Sequence, residues 1–457
     1  MEQKLNKFTR REFLKWTGIS AGAVAVVGCV SQAPTTQAPA ASGDEAEAPK
    51  PDELVLVYWT VDGDEEAVLE ISDQFEADSG IPIRWERTPN IEELMQKVLT
   101  MQVAAEQADV FPMHYFNIAK WTKEGIVQPV TGMPGLDDYL DQMSAGARAM
   151  ATYEGEVWGF PYQLTLLSQY YNNTVLWEQT GMAELPTTWE ELGEMSKKIK
   201  ADGVAQYPIV FQAGVGSEHI GETWYHLVTS IGGKVFDEEF NPLLEEGSEA
   251  RQMLQWWRDT IQEWEIADPR SLELRWIPAA KAMGTGEYVF CNTQPRFMRF
   301  ANLPAESPTA GQHKLFACGT PMFHGLLWAM GADAGSKEHA WEMLKYFGAQ
   351  TMAGDWLFPI ERAKLSYATG WPGKAADDPA VNELWSEVWD IDEYKRQFAE
   401  ASFVAETVPA MRTLWYLQWV EQILVPNLQD CLGGKITAGE AAGNIAQGAE
   451  DLKAQEG

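Results

Sequence analysis

Leu54-Val55-Leu56-Val57-Tyr58-Trp59 is an unbroken apolar run, followed by the turn residues Asp62-Gly63-Asp64. A run this short, with no polar alternation, predicts a strand covered on both faces, as in a parallel sheet. Working outward, residues 64–79 place Val68, Leu69, Ile71 and Phe75 on one side of a helix that stops near Gly80. Ile81-Pro82-Ile83-Arg84-Trp85 predicts a second strand. Residues 91–105, with Ile91, Leu94, Met95, Val98 and Leu99 turned inward, predict a second helix, and Asp109 to Tyr115 a third strand. This alternation predicts a parallel sheet with right-handed crossovers. Open sheets of this kind bind ligands beyond the carboxyl ends of their strands. Trp59, Thr60 and Asp62 after the first strand, and His114, Tyr115 and Asn117 after the third, therefore fall on one rim.

The rest of the chain sets the bounds. Its 457 residues hold 34 Lys+Arg against 67 Asp+Glu, a net charge of −33, with 45% apolar residues. That length accommodates two or three domains with real cores. The acid excess argues against any role resting on broad contact with nucleic acid or anionic lipid. Trp (20) outnumbers Phe (18) and Tyr (14). An indole suits both a core and a sugar-stacking pocket, and core packing should absorb most of the twenty.

The N-terminus reads as an address. Thr9-Arg10-Arg11-Glu12-Phe13-Leu14-Lys15 resembles a twin-arginine export motif, and the apolar stretch from Trp16 to Val27 is too short to span a bilayer. Val26-Val27-Gly28-Cys29 resembles a lipobox, which implies removal of a signal peptide at 1–28 and lipidation of Cys29. Residues 29–52, rich in Ala, Pro, Ser, Thr and acid, form a disordered tether. The expected location is the outer face of the cytoplasmic membrane, reached by the twin-arginine route. In such an oxidising compartment Cys291 and Cys318 are candidates for a disulfide, leaving Cys431 buried and free. The six histidines and these cysteines show no zinc spacing, and neither a metal nor a cofactor is expected.

Several ordered stretches carry a resemblance. They include Phe75 to Pro82, Trp121 to Val130, Gly155 to Tyr162, Tyr170 to Asn173 and Leu185 to Leu192, then Gly335 to Phe347 and Gly434 to Ala441. Together they resemble the family 1 extracellular solute-binding proteins, the sugar-binding group of ATP-driven importers that includes maltodextrin-binding proteins. The resemblance implies an α/β periplasmic-binding-protein type II fold, with two discontinuous α/β lobes and a central ligand cleft. The first lobe is expected at 53–162 with 277–328, and the second at 163–276 with 329–457, with a first crossover at Gly159-Phe160-Pro161-Tyr162. It further implies a monomer that captures a sugar or oligosaccharide and hands it to the membrane permease of an ABC transporter.

Sugars offer apolar faces to aromatic rings and hydroxyls to polar side chains. The candidates to bind them are Trp59, Asp62, His114 and Tyr115 on the rim, Tyr162 and Gln163 after the crossover, and Gln212, Trp224, Asn292, Gln294, Trp356 and Arg362 beyond. Each has a core role as its rival reading. Trp224 and Trp356 are balanced between platform and core, and His114 leans towards a structural histidine. Trp256 and Trp257, on an amphipathic helix, read as core. A binder of another solute on the same fold (polyamine, glycerol phosphate or ferric ion) is the alternative, with a secreted carbohydrate-active enzyme behind it. No Gly-x-Ser-x-Gly elbow, P-loop or dinucleotide fingerprint is present.

Overall fold

A strand buried on both faces needs neighbours at both edges. Leu54–Trp59 (β1) finds them in Ile83–Thr88 (β2) and Val110–His114 (β3), both parallel to it. A computed structural model describes residues 49–59, 65–172, 174–214 and 219–456. The expected leader 1–28, Cys29 and the expected tether up to residue 48 lie outside the described residues, as do Thr60 and Asp62. At the end of the expected tether, the Lys50 ammonium donates to the Ser79 carbonyl at 2.8 Å, which fastens that end to the body.

Two helices, Glu65–Ser79 (α1) and Ile91–Ala104 (α2), link the three strands as the periodicity predicts. Asn90 caps α2 reciprocally: its side-chain oxygen accepts the Glu93 N–H at 2.8 Å, and its Nδ2 donates to the Glu93 carboxylate at 3.1 Å. β2 starts two residues later than expected. Pro82 has no N–H to give the ladder, and contributes only its carbonyl, which accepts from Leu54 at 2.9 Å. Asp109 precedes β3 and ties it inward. Its carboxylate accepts the N–H groups of Val55 at 2.6 Å and Gly335 at 2.8 Å, and the Gln107 amide at 2.7 Å.

Further along come Ile118–Lys123 (α3), Phe160–Asn172 (β4), Ile209–Phe211 (β5), His219–Ser230 (α4) and Glu249–Gln262 (α5). Trp276–Met283 (α6), Phe290–Thr293 (β6), His313–Phe316 (β7), Met322–Gly331 (β8), Lys337–Gly348 (α7) and Leu357–Lys364 (α8) follow. The main sheet runs β2-β1-β3-β8-β4-β6-β5. β8 is antiparallel to both β3 and β4, so the sheet is mixed, with parallel pairing within β1–β3, between β5 and β6, and between β8 and Ser402–Phe403.

β4 joins the two parts. Residues Phe160 to Leu167 pair with β8, whereas Ser168 to Asn172 pair with β6 on one side and β7 on the other. The change of partners thus falls at Leu167–Ser168, inside the strand. β6 is bonded to β5 and to the far half of β4, and β7 to the other edge of that half. Gly159 stands at the start of β4 with φ +151°, where a Cβ would lie 1.9 Å from the Trp328 carbonyl oxygen. Only glycine lets the two backbones come that close.

The same register corrects the expected Cys291–Cys318 disulfide, which is not formed. Cys291 on β6 and Leu315 on β7 both pair with Tyr170, from opposite sides of β4. Two strand spacings of about 4.8 Å separate such flanking strands, beyond the span of about 7 Å that a disulfide bridges. Cys431 is buried and free, as expected. Most tryptophans are core, among them Trp121, Trp224, Trp257, Trp328, Trp371 and Trp419. Several of their N–H groups find carbonyls: Trp224 donates to Ala250 at 3.1 Å, and Trp419 to Ile445 at 3.0 Å. Among the described residues, no helix is long and apolar enough to cross a membrane.

Candidate solute-binding site

Side chains alternate faces along a strand, so adjacent strands in register present a shared rank. Gln163 of β4 lies opposite Leu326 of β8, Leu326 opposite His114 of β3, and Thr165 opposite His324. These five side chains line a cavity of about 440 Å³. Trp59 at the end of β1 and Asn117 just after β3 also line it, together with α2 and with Lys120 and Trp121 of α3. Arg275 and Trp276 at the head of α6, Arg296 and Phe297 after β6, and Tyr367 line it too. Leu417 and Glu421 complete the lining, the latter on a π-helical turn, Val420–Leu424. The volume lies within the range that small-molecule sites span, and the mixture of rings and few polar groups is typical of them.

The floor is held from below. Arg362, wholly buried, donates to Gln163 Oε1 at 2.6 Å and to the Tyr58 hydroxyl at 3.2 Å, with the Tyr367 ring centroid 4.1 Å from its guanidinium carbon. With its oxygen engaged, Gln163 offers its NH₂ group to the cavity. Arg362 is therefore a positioning residue that does not line the cavity.

A buried polar cluster backs the other side. The Glu222 carboxylate of α4 lies 3.0 Å from His324 Nε2, and its second oxygen accepts from Gln212 and Gln294, each at 3.2 Å. Gln294 in turn accepts from Arg296 Nε at 2.9 Å, so the cluster braces two cavity residues at once. Burial lowers the His114 pKa to about 3, aided by His324 and Arg296, and burial lowers that of His324 against the pull of Glu222. Both imidazoles are neutral at pH 7, and each offers one donor and one acceptor.

Of the expected contacts, Trp59, His114 and Gln163 meet in this cavity. Asp62 lies outside the described residues. The others do not line it. Tyr115 packs among Phe116, His324 and Phe403, with ring centroids 5.1 to 5.8 Å away. Tyr162 is the extra residue where the β4–β8 register shifts, and its ring lies 4.6 Å from that of Trp328. Gln212 and Gln294 belong to the Glu222 cluster, and Asn292 Nδ2 meets His226 Nδ1 at 3.0 Å. Trp224 is fully buried, and Trp356 rests 4.9 Å from the Trp371 ring.

Sequence reading missed Trp276, His324, Tyr367, Lys120, Arg275 and Glu421. β8 is buried along its whole length, so no alternation marks His324 as facing a cavity. Arg275-Trp276 carried a visible signal, an aromatic beside a cation at the head of a helix, which suits a ligand wall.

Residues 60–282 match the family model described as bacterial extracellular solute-binding protein. A mannitol-binding protein of Pseudomonas aeruginosa is 25% identical over 177 residues, 38% of this chain and 40% of that protein. The chain thus spans about 40% of the length of the curated relatives it matches. Two solved structures share the fold over 88% of this chain. The maltose-bound T. maritima MalE3 is covered to 99% with a TM-score of 0.70 at 19% identity. A ribitol complex of an ABC-transporter solute-binding protein from Agrobacterium radiobacter is covered to 100% with a TM-score of 0.67 at 18% identity. The expected resemblance holds: over residues 60–282 the chain is similar to the extracellular solute-binding proteins, and it has the type II periplasmic-binding-protein fold.

Proposed function

We propose that the protein captures a sugar or sugar-like polyol in the 440 Å³ cavity and delivers it to the permease of an ABC transporter. The observation that carries this is the gathering of aromatic rings and hydrogen-bonding groups in one cavity. Trp59, Trp276 and Tyr367 line it together with His114, Gln163 and His324. A sugar ring against such a lining buries its C–H faces on the aromatic rings while its hydroxyls reach the polar groups. The mannitol, maltose and ribitol named for related proteins support a polyhydroxylated solute.

Calorimetry against a panel of mono- and oligosaccharides and polyols tests the reading. Trp59→Ala should weaken binding about ten- to a hundredfold, through the lost apolar burial. Unchanged affinity would remove Trp59 from the site, and turnover of a glycan would favour an enzyme. Polyamine binding is disfavoured by Lys120, Arg275 and Arg296 in the lining.

Two further parts of the reading concern the whole protein. The change of strand partners at Leu167–Ser168 supports a division into two lobes, with β6 and β7 in the second, that close when one solute touches both walls. The leader-like sequence supports export and lipidation at Cys29. Cys29→Ser should then move the protein from the membrane to the soluble fraction, and membrane retention of that variant would count against the anchor.

A further inference from the structure

The buried cluster behind the cavity fixes more than position. Glu222, 2% exposed, stands on α4, which packs against β8 and β4. Its partners settle which atom gives and which takes. Arg296 Nε can only donate, so the Gln294 amide turns its oxygen to that nitrogen, at 2.9 Å. The Gln294 NH₂ group is thereby left facing Glu222 Oε2, to which it donates at 3.2 Å. Gln212 is turned the same way. Its oxygen accepts the Thr293 hydroxyl at 3.0 Å, and its NH₂ group donates to the same Oε2 at 3.2 Å. One carboxylate oxygen is committed to two donors.

The other oxygen, Oε1, lies 3.0 Å from His324 Nε2, and neither of these buried atoms bonds another described group. A carboxylate oxygen this close repels a nitrogen lone pair and attracts a proton. Neutral His324 therefore carries its hydrogen on Nε2 and its lone pair on Nδ1. His324 lines the cavity from β8, with Thr165 opposite it on β4. A bare Nδ1 accepts and does not donate, which suits the hydrogen of a hydroxyl. Gln163 is complementary: Arg362 takes its oxygen, and its NH₂ group is left to meet a solute oxygen.

We infer that Glu222 is a positioning residue for solute capture: it holds His324 in the Nε2–H form, so that Nδ1 accepts a hydroxyl hydrogen of the solute. This rests on the cavity being the solute site, and the test separates the two ideas. Long-range proton–nitrogen correlation spectra of the full-length protein, isotope-labelled at histidine, read the tautomer directly. His324→Gln assigns the signals by removing them. The expected result at neutral pH is a proton on Nε2 and a bare Nδ1. A proton on Nδ1 would overturn the inference, and this arm needs neither a ligand nor a folded Glu222 variant. Glu222→Gln then reverses the polarity. Gln212 and Gln294 still present NH₂ groups, so the introduced amide sets its oxygen towards them and its own NH₂ towards His324 Nε2. The proton should move to Nδ1. Titration calorimetry with mannitol, ribitol, glucose and maltose should show about tenfold weaker binding of whichever probe the wild type holds. A variant that keeps both tautomer and affinity would overturn the role of Glu222. One that switches tautomer at unchanged affinity would overturn the contact to Nδ1. Either result leaves the solute reading standing, whereas failure of all four probes to bind the wild type would overturn that reading and this inference with it.

Discussion

Arg362 brings a full charge into the core and spends it on orientation. Replacing it with Met leaves Gln163 Oε1 and the Tyr58 hydroxyl without the donor they have in the wild type. Stability should fall by about 1–3 kcal/mol, the cost of stranding buried polar groups. Solute affinity should fall as well, because the Gln163 amide loses its fixed orientation. Urea unfolding and calorimetry on Arg362→Met check both, and wild-type affinity in that variant would deny Arg362 a positioning role. The histidines make a second residue-scale prediction. Burial holds His114 and His226 at about 3 and His313 at about 4, and lowers His324 as well. In the unfolded chain each binds a proton near pH 6.5, so the unfolded state takes up more protons than the native one in acid. The stability they protect is intact above about pH 6.5 and is lost as pH falls from there towards 4. Each contributes up to about 1.4 kcal/mol per pH unit over that window. Melting temperatures should begin to drop between pH 7 and 6, above the carboxylate range, and a flat profile down to pH 5 would contradict this.

At the scale of elements, β4 is the piece on which the molecule turns. Its first half belongs to the β8 ladder and its second to β6 and β7, so one rigid strand serves two sets of neighbours. Gly159 makes its entry possible by letting the Trp328 carbonyl approach to where a Cβ would stand. Gly159→Ala should cost about 3 kcal/mol through overpacking and backbone strain, read as a drop in melting temperature. A variant as stable as wild type would show that β8 shifts freely. The flanking of β4 by β6 and β7 also fixes the fate of the thiols. Cys291 and Cys318 should both be alkylated when the protein is unfolded without reductant, and a mass spectrum showing a Cys291–Cys318 link would contradict the strand order.

For the whole molecule, the proposed closing of two walls on one solute has a direct measure. Solution scattering should give a smaller radius of gyration at saturating ligand than without it, because closure requires better contacts in the closed state than in the open one. Binding without a change in radius would leave the cavity as the site and remove the hinge. The shared fold with maltose- and ribitol-bound relatives fixes the architecture at 18–19% identity, and at that distance the lining side chains are this chain's own.

The local rules determined much of this protein. Hydrophobic runs and periods placed β1, β3, α1 and α2 within a residue or two, and a rim at the strand ends brought Trp59 and His114 to one cavity. These features are legible because they depend on alternation and reach only to the next few residues. Register decided what remained. Whether Gln163 or Tyr162 faces the cavity turns on a one-residue shift between β4 and β8, and pairing across some 160 residues of chain brings His324 beside Thr165. Tryptophans look alike in sequence whether they fill a core, as Trp224 does, or wall a cavity, as Trp276 does. Which charged residues line the cavity is likewise invisible in a chain of net charge −33, since composition sums over the molecule and a ligand meets only the residues that folding gathers around it.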